Sequence, residues 1–251
     1  MHLGEIKILR KGPPDENQRE CRFELGEIFR GIEPHNINQV YDIIFSRIDP
    51  GIEALIDASK TVYGWADRFL ANNTYERKYL HLIRDPRALV RRWVPNSTLN
   101  KRLSLRWRLI RTFPDLTPVA LTAGKPALYL YNWLMQNRRI TDFIQRNHLD
   151  SCIVTYRDLA LDPAKELQRI MQWIGLEFEP TQLEYWNFEH VGTQKRNYEW
   201  VKEKKAKLFD TRWKTELPVE LQERIIQDQR VRAYLDQIGV RVAEDGLTRS
   251  V

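Results

Sequence analysis

The stretch Tyr79-Leu80-His81-Leu82-Ile83-Arg84-Asp85-Pro86-Arg87-Ala88-Leu89-Val90-Arg91-Arg92-Trp93 reads as a short strand, a tight turn and a helix. Leu80, Leu82 and Ile83 make an apolar run closed by a turn signal, which suits a strand inside a covered sheet. Pro86 suits the first helical position, where no backbone N–H is needed, and Asp85 suits the N-cap. Arg84 is thereby expected at the carboxyl end of a strand, facing a helix start. Open α/β sheets bind anions at such a crevice. Arg87, Arg91 and Arg92 follow on the helix, so one turn gathers four guanidiniums beside free backbone donors. That chemistry suits a phosphate or a sulfate.

The same alternation continues on both sides. Ala54-Leu55-Ile56 reads as a strand leading to Asp57-Ala58-Ser59-Lys60, and Ser151-Cys152-Ile153-Val154 as another. Helical periodicity marks residues 36–48 and 62–70, and a helix of about twenty residues starting near Pro126. A further helix opens at Asp162-Pro163 and ends at Gly175, and one long helix is expected from Pro218 to Ile238. Residues 94–125 are basic and aromatic and read as an irregular insertion, broken at Pro95, Pro114, Pro118 and Gly124. Residues 190–217 read as a basic, Trp-rich loop. Strands alternating with helices imply an α/β domain with a parallel sheet, here spanning 1–240, with 241–251 as a flexible tail.

The chain has 251 residues, 42% hydrophobic and 29% charged, which is ordinary for one soluble domain with a sizeable core. A net charge of +6 and a pI near 9.3 favour anionic partners without choosing among nucleotides, nucleic acid and acidic lipid. Two cysteines make no disulfide framework, and Cys152 reads as a small core residue. No Cys/His cluster has zinc spacing, so no metal is expected. No apolar run approaches the ~18 residues of a membrane span. A cytoplasmic location is expected if Met1 is the true start.

Four segments, in order, resemble the sulfotransferases that use 3′-phosphoadenosine 5′-phosphosulfate (PAPS) as donor. Ile56-Asp57-Ala58-Ser59-Lys60 is similar to the family's strand-end lysine motif. Leu82-Ile83-Arg84-Asp85-Pro86-Arg87, 24 residues on from lysine to arginine, is similar to the segment that holds the donor's 3′-phosphate. Val154-Thr155-Tyr156-Arg157-Asp158-Leu159, then Asp162-Pro163 and Trp173-Ile174-Gly175-Leu176, resembles the bacterial and Golgi-type form of the next strand and helix. His190-Val191-Gly192 with Arg196, then Asp210-Thr211-Arg212-Trp213-Lys214-Thr215-Glu216-Leu217, looks like the basic loop and Trp-rich lead into the last helix. The resemblance covers about residues 53–240 and rests on order and spacing together.

It implies a P-loop NTPase-like three-layer domain, with a short parallel sheet flanked by helices, that moves a sulfuryl group from PAPS to a hydroxyl or amine. Lys60 then corresponds to the catalytic lysine, and Arg84, Arg92 and Arg196 to donor contacts. Glu5 is the candidate base, and Tyr156 and Asp158 are structural. Three departures stand beside it. None of the 11 glycines sits in a phosphosulfate-type Gly-Ser/Thr loop, so the first strand–loop–helix is expected to be missing. Arg92 stands where the family has serine, and Val62 where cytosolic members have a catalytic histidine.

Residue by residue, other readings stay open. Lys60 also fits a solvated lysine at a strand–helix turn, Arg84 a salt bridge to Asp85 or Asp158, and Arg92 a surface arginine. His81, between Leu80 and Leu82, reads as a satisfied core histidine. Residues 84–111 hold nine Lys/Arg and one acidic residue, with Trp93 and Trp107 interleaved, which suits a frame for the anionic donor or an anionic acceptor ahead of a nucleic-acid groove. The rival to an enzyme is a degenerate relative that binds nucleotide or protein without turnover. A nucleotide kinase would need Gly-x-x-x-x-Gly-Lys-Ser/Thr, which the chain lacks. Acceptor selectivity is expected in 94–125.

Overall fold

The computed structural model describes residues 6–9, 46, 54–57, 76–187 and 209–250. The chain divides into two compact units, residues 1–76 with 177–206 and residues 77–176 with 207–251. In the first, β1 (Ile6–Leu9) pairs antiparallel with β2 (Ala54–Asp57), placing Ile6 opposite Asp57. β2 is the strand expected at Ala54–Ile56. The same unit carries 3₁₀ turns over Pro180–Asn187, kinked at Glu184. The helices expected over 36–48 and 62–70 lie outside the described residues, save that Ser46 is helical.

The second unit is built on β3 (Tyr79–Ile83) and β4 (Ser151–Thr155), which run parallel from Tyr79 opposite Ser151 to Ile83 opposite Thr155. Among the described residues this parallel sheet has two strands. The crossover holds α1 (Pro86–Trp93), α2 (Leu99–Thr112), a 3₁₀ turn (Pro114–Leu116), α3 (Thr117–Thr122) and α4 (Lys125–Arg146). β4 passes directly into α5 (Tyr156–Leu161) and then α6 (Pro163–Ile174). The last segment holds α7 (Trp213–Glu216), α8 (Val219–Gln227), α9 (Gln229–Gln237) and a hairpin of β5 (Val240–Ala243) and β6 (Gly246–Arg249).

Helix α4 is the spine of this unit. Every residue from Leu128 to Met135 is buried, because β3, α1, α2 and α9 pack around it. Ile83, Val90, Leu105, Leu109 and Leu235 join the same core. Trp133 is buried and donates its indole N–H to the Arg84 carbonyl at 2.9 Å, so its polar atom is satisfied and the strand end is pinned. α6 keeps its expected bounds: the Asp162 carboxylate accepts from the Lys165 N–H, and Gly175 closes the helix at φ 88°, a left-handed conformation that glycine adopts without steric cost.

Four expectations change. Residues 94–125 are mostly helical: Thr98 caps α2, Leu105 and Leu109 face the core at helical spacing, and Pro114 and Pro118 sit in the first turns of the next short helices. The long helix expected from Pro218 is two helices, because the Asp228 carboxylate accepts from the Arg230 and Val231 N–H groups and so starts α9 afresh. The flexible tail is a docked hairpin. Gly239, at φ 64°, turns the chain out of α9, and Val240 and Leu247 are buried. β3 alternates instead of being covered on both faces: His81 and Ile83 are buried, whereas Leu80 and Leu82 are half exposed.

Candidate functional site

Ile83 and Thr155 are register partners, so the residues that follow them, Arg84 and Tyr156, leave the sheet side by side. Each strand turns at once into a helix. Asp85 caps α1, its Oδ1 accepting from the Arg87 N–H at 2.8 Å, and Thr155 caps α5, its Oγ1 accepting from the Asp158 N–H at 3.1 Å. The Arg84 guanidinium lies over the Tyr156 ring, 4.7 Å from the centroid. A small hollow opens here, walled by Arg84, Tyr156, Asp210, Trp213 and Asp245.

Asp210 is the anion at the centre. Arg84 Nη2 donates to its Oδ2 at 2.9 Å and Arg91 Nη2 to the same oxygen at 3.4 Å. Arg212 donates from Nε to Oδ1 at 2.8 Å and from Nη2 to Oδ2 at 3.1 Å. Arg91 also donates from Nη1 to Glu216 Oε2 at 2.7 Å. The Asp210 N–H donates to the Tyr156 hydroxyl at 3.3 Å. The hydrogen bonds and charge of Arg212, joined by the charge of Arg91, pull the Asp210 carboxyl down to about 2. Two donors in this cluster, Arg84 Nε and Arg91 Nε, are buried without a hydrogen bond. The Arg84 side chain keeps 26% of its surface exposed.

The four guanidiniums expected at this turn therefore divide. Arg84 and Arg91 share Asp210. Arg87 is buried, doubly bonded to the Asp85 carboxylate through Nε (3.0 Å) and Nη2 (2.7 Å), and stacked 3.7 Å from the Trp213 ring centroid. It is an internal ion pair, and its own N–H is taken by Asp85, so that backbone donor is not free for a ligand. Arg92 is exposed on α1; the α1 arginine that reaches Asp210 is Arg91. Arg84 does form an ion pair, though to Asp210 and not to Asp85 or Asp158.

Asp158 has the structural role expected of it. It accepts from the Thr248 hydroxyl at 2.6 Å and the Arg249 N–H at 3.0 Å, and so ties β6 to the first turn of α5. Arg157 bonds Asp245 in the hairpin turn, and Arg249 reaches buried Glu166 at 2.9 Å. His81 is a buried, satisfied histidine: Nε2 lies 3.1 Å from Asn137 Oδ1, and burial pushes its pKa down to about 4. Cys152 is buried, as expected.

Sequence reasoning counted Arg91 among the guanidiniums of the turn but nominated Arg92 as the donor contact, and it passed over Asp210 as a member of the site. The only signal was the segment Asp210-Thr211-Arg212-Trp213-Lys214, in which a carboxylate stands amid cations. Lys60, Glu5, Arg196, Trp65, His35 and His190 lie outside the described residues. Among the described residues no group of three His, Cys, Asp or Glu side chains is placed to hold a metal, and no helix is long and apolar enough to cross a membrane.

No family model matches the chain. No curated protein matches it either. Among solved structures, a sulfotransferase domain from the curacin biosynthetic pathway matches with a TM-score of 0.54 and 19% identity, over 82% of this chain and 68% of that one. At that identity the likeness is one of fold: a mixed α/β chain with a short parallel sheet flanked by helices, consistent with a sulfotransferase-like fold.

Proposed function

We propose that this chain is a sulfotransferase that moves a sulfuryl group from PAPS to a hydroxyl or amine of an acceptor, with Arg84 at the donor's 3′-phosphate. The observation that carries the reading is the pair Arg84 and Arg91, both turned onto one carboxylate at the carboxyl end of a parallel strand pair, each with an unbonded Nε. A planar guanidinium fork takes phosphate oxygens as readily as carboxylate oxygens, so a phosphate fits this donor set, with Asp210 as the competing anion. The fold likeness and the four ordered sequence segments support the same reading.

PAPS supplies the activated sulfuryl group. In transfer, the bond from sulfur to the leaving phosphate oxygen breaks and a bond to the acceptor oxygen or nitrogen forms. The acceptor proton passes to a base, for which Glu5 is the candidate by resemblance. Negative charge grows on the leaving phosphate and spreads over the transferring group. Lys60 is assigned to that charge, while Arg84 and Arg91, with Arg196 nominated by resemblance, hold the donor in place.

Calorimetry with adenosine 3′,5′-bisphosphate on the folded chain tests the reading. Saturable binding is expected, weakened about tenfold or more by Arg84→Ala, since a charge-assisted pair contributes at least ~1.4 kcal/mol. No binding heat from folded protein overturns it. A second reading is nucleotide binding without turnover. It predicts the same heat but no transfer of radiolabelled sulfate from donor to acceptor.

A further inference from the structure

We infer that α2 is a membrane-surface element: its exposed face docks on an anionic lipid bilayer. The helix reads Leu99-Asn-Lys-Arg-Leu-Ser-Leu-Arg-Trp-Arg-Leu-Ile-Arg-Thr112 and contains no acidic residue. Leu105 and Leu109 point into the core, which fixes the rotation of the helix. Leu99, Leu103 and Trp107 then form a stripe at i, i+4, i+8 on the opposite side, and they are 60%, 49% and 73% exposed. Three large apolar side chains in a row at that exposure are not the scattered singles of an ordinary surface.

The charge around the stripe selects the occupant. Lys101, Arg108 and Arg111 are exposed on the same helix beyond the stripe, and Arg106 borders it on the other side, donating to the Ala120 and Ala123 carbonyls at the end of α3. Leu121 of α3, which packs on α2, is also exposed. A helix of about 20 Å with leucines and a tryptophan along one stripe, cations on its flanks and no acid matches an interfacial helix lying in the headgroup plane. The apolar stripe enters the acyl boundary while long basic side chains reach the phosphates. A second copy of this chain fits less well, because two such faces would oppose like charges. Single-stranded nucleic acid fits less well too, since it asks for a row of stacking aromatics where this stripe offers aliphatic leucines and one ring.

The test uses the full chain and sedimentation with vesicles, either of phosphatidylcholine alone or with about 30 mol% phosphatidylserine. Partitioning about tenfold stronger on the anionic vesicles, falling with added salt, is expected. Leu103→Gln with Trp107→Gln should lower it about tenfold by removing the inserting surface. Lys101→Gln with Arg111→Gln should lower it and flatten the salt dependence. All four side chains are exposed, so thermal unfolding of the variants should match the parent and separate lost docking from lost fold. Equal partitioning on both vesicle types, or anionic binding that survives the apolar variant, overturns the inference. So does tight binding of a single-stranded oligonucleotide that is lost in the charge variant and kept in the apolar one; that result makes the face a nucleic-acid surface.

Discussion

Arg84 and Arg91, on successive elements of one strand–turn–helix, put their Nη2 atoms 2.9 and 3.4 Å from the same oxygen, Asp210 Oδ2. The two forks are thus already arranged about an oxyanion position before any ligand arrives. Trp133 holds the backbone of Arg84 from below, and the ring of Tyr156 supports its guanidinium. On the proposed reading, the carboxylate now between these preorganised cations is the group that a donor phosphate would displace or join.

Removing that carboxylate while keeping its shape is the sharpest probe. Asp210→Asn leaves three guanidiniums without their shared anion, so thermal stability should fall. Added inorganic phosphate or adenosine 3′,5′-bisphosphate should then raise the unfolding temperature more in the variant than in the parent, because a tighter ligand stabilises the folded state further. An equal ligand response in both proteins would mean the cluster is only a structural ion pair.

The two arginines of α1 should separate in calorimetry. Arg91→Ala is expected to weaken bisphosphate binding about tenfold, like Arg84→Ala, whereas Arg92→Ala should stay within about twofold because Arg92 is exposed and does not share Asp210. The reverse order would restore the position that the family resemblance nominates.

Two acid transitions should be resolvable in pH-dependent denaturation. Burial lowers the His81 pKa from 6.5 to about 4, so the unfolded chain binds that proton first. The stability from keeping His81 neutral is present above pH 6.5 and is lost as pH falls from there to about 4, by about 3 kcal/mol in all. Asp210 is depressed from 3.8 to about 2, so its contribution is present above 3.8 and disappears as pH falls through about 2. Its size is at most about 2 kcal/mol, less after solvent screening. His81→Asn should abolish the first loss, and Asp210→Asn should shrink the second, to which Asp150, Asp158 and Asp245, also held below the ordinary carboxylate range by their hydrogen bonds, contribute.

The C-terminal hairpin should carry real stability. Leu247 is 1% exposed, and Leu247→Ala is expected to cost about 2–4 kcal/mol in urea denaturation. Asp158→Ala removes the acceptor for both the Thr248 hydroxyl and the Arg249 N–H and should cost about 2 kcal/mol. If both substitutions leave the midpoint unchanged, the hairpin is not part of the cooperative unit.

Local signals explain what could be read without coordinates. The strand–turn–helix at 79–93, the strand at 151 and helix α6 announce themselves through caps, prolines and short-range periodicity, and Asp162, Pro163 and Gly175 bound α6 as their chemistry demands. Arg84 could be placed at a strand end for the same reason. Its partner could not, because Asp210 lies 126 positions away and nothing in the neighbourhood of either residue encodes the other. Choosing Arg91 over Arg92 turns on about 100° of helix rotation, which is set by the packing of α1 against α4 and not by the arginines themselves. The final hairpin illustrates the same limit: Leu247 and Val240 are sparse apolar residues in a polar stretch, and only the surface offered by their distant neighbours makes their burial favourable. Sequence alone determined the strand–turn–helix at 79–93, the strand at 151, α6 and the cationic character of the turn; tertiary structure decided which cations meet one anion, because ion-pair geometry and burial are properties of segments brought together from far along the chain.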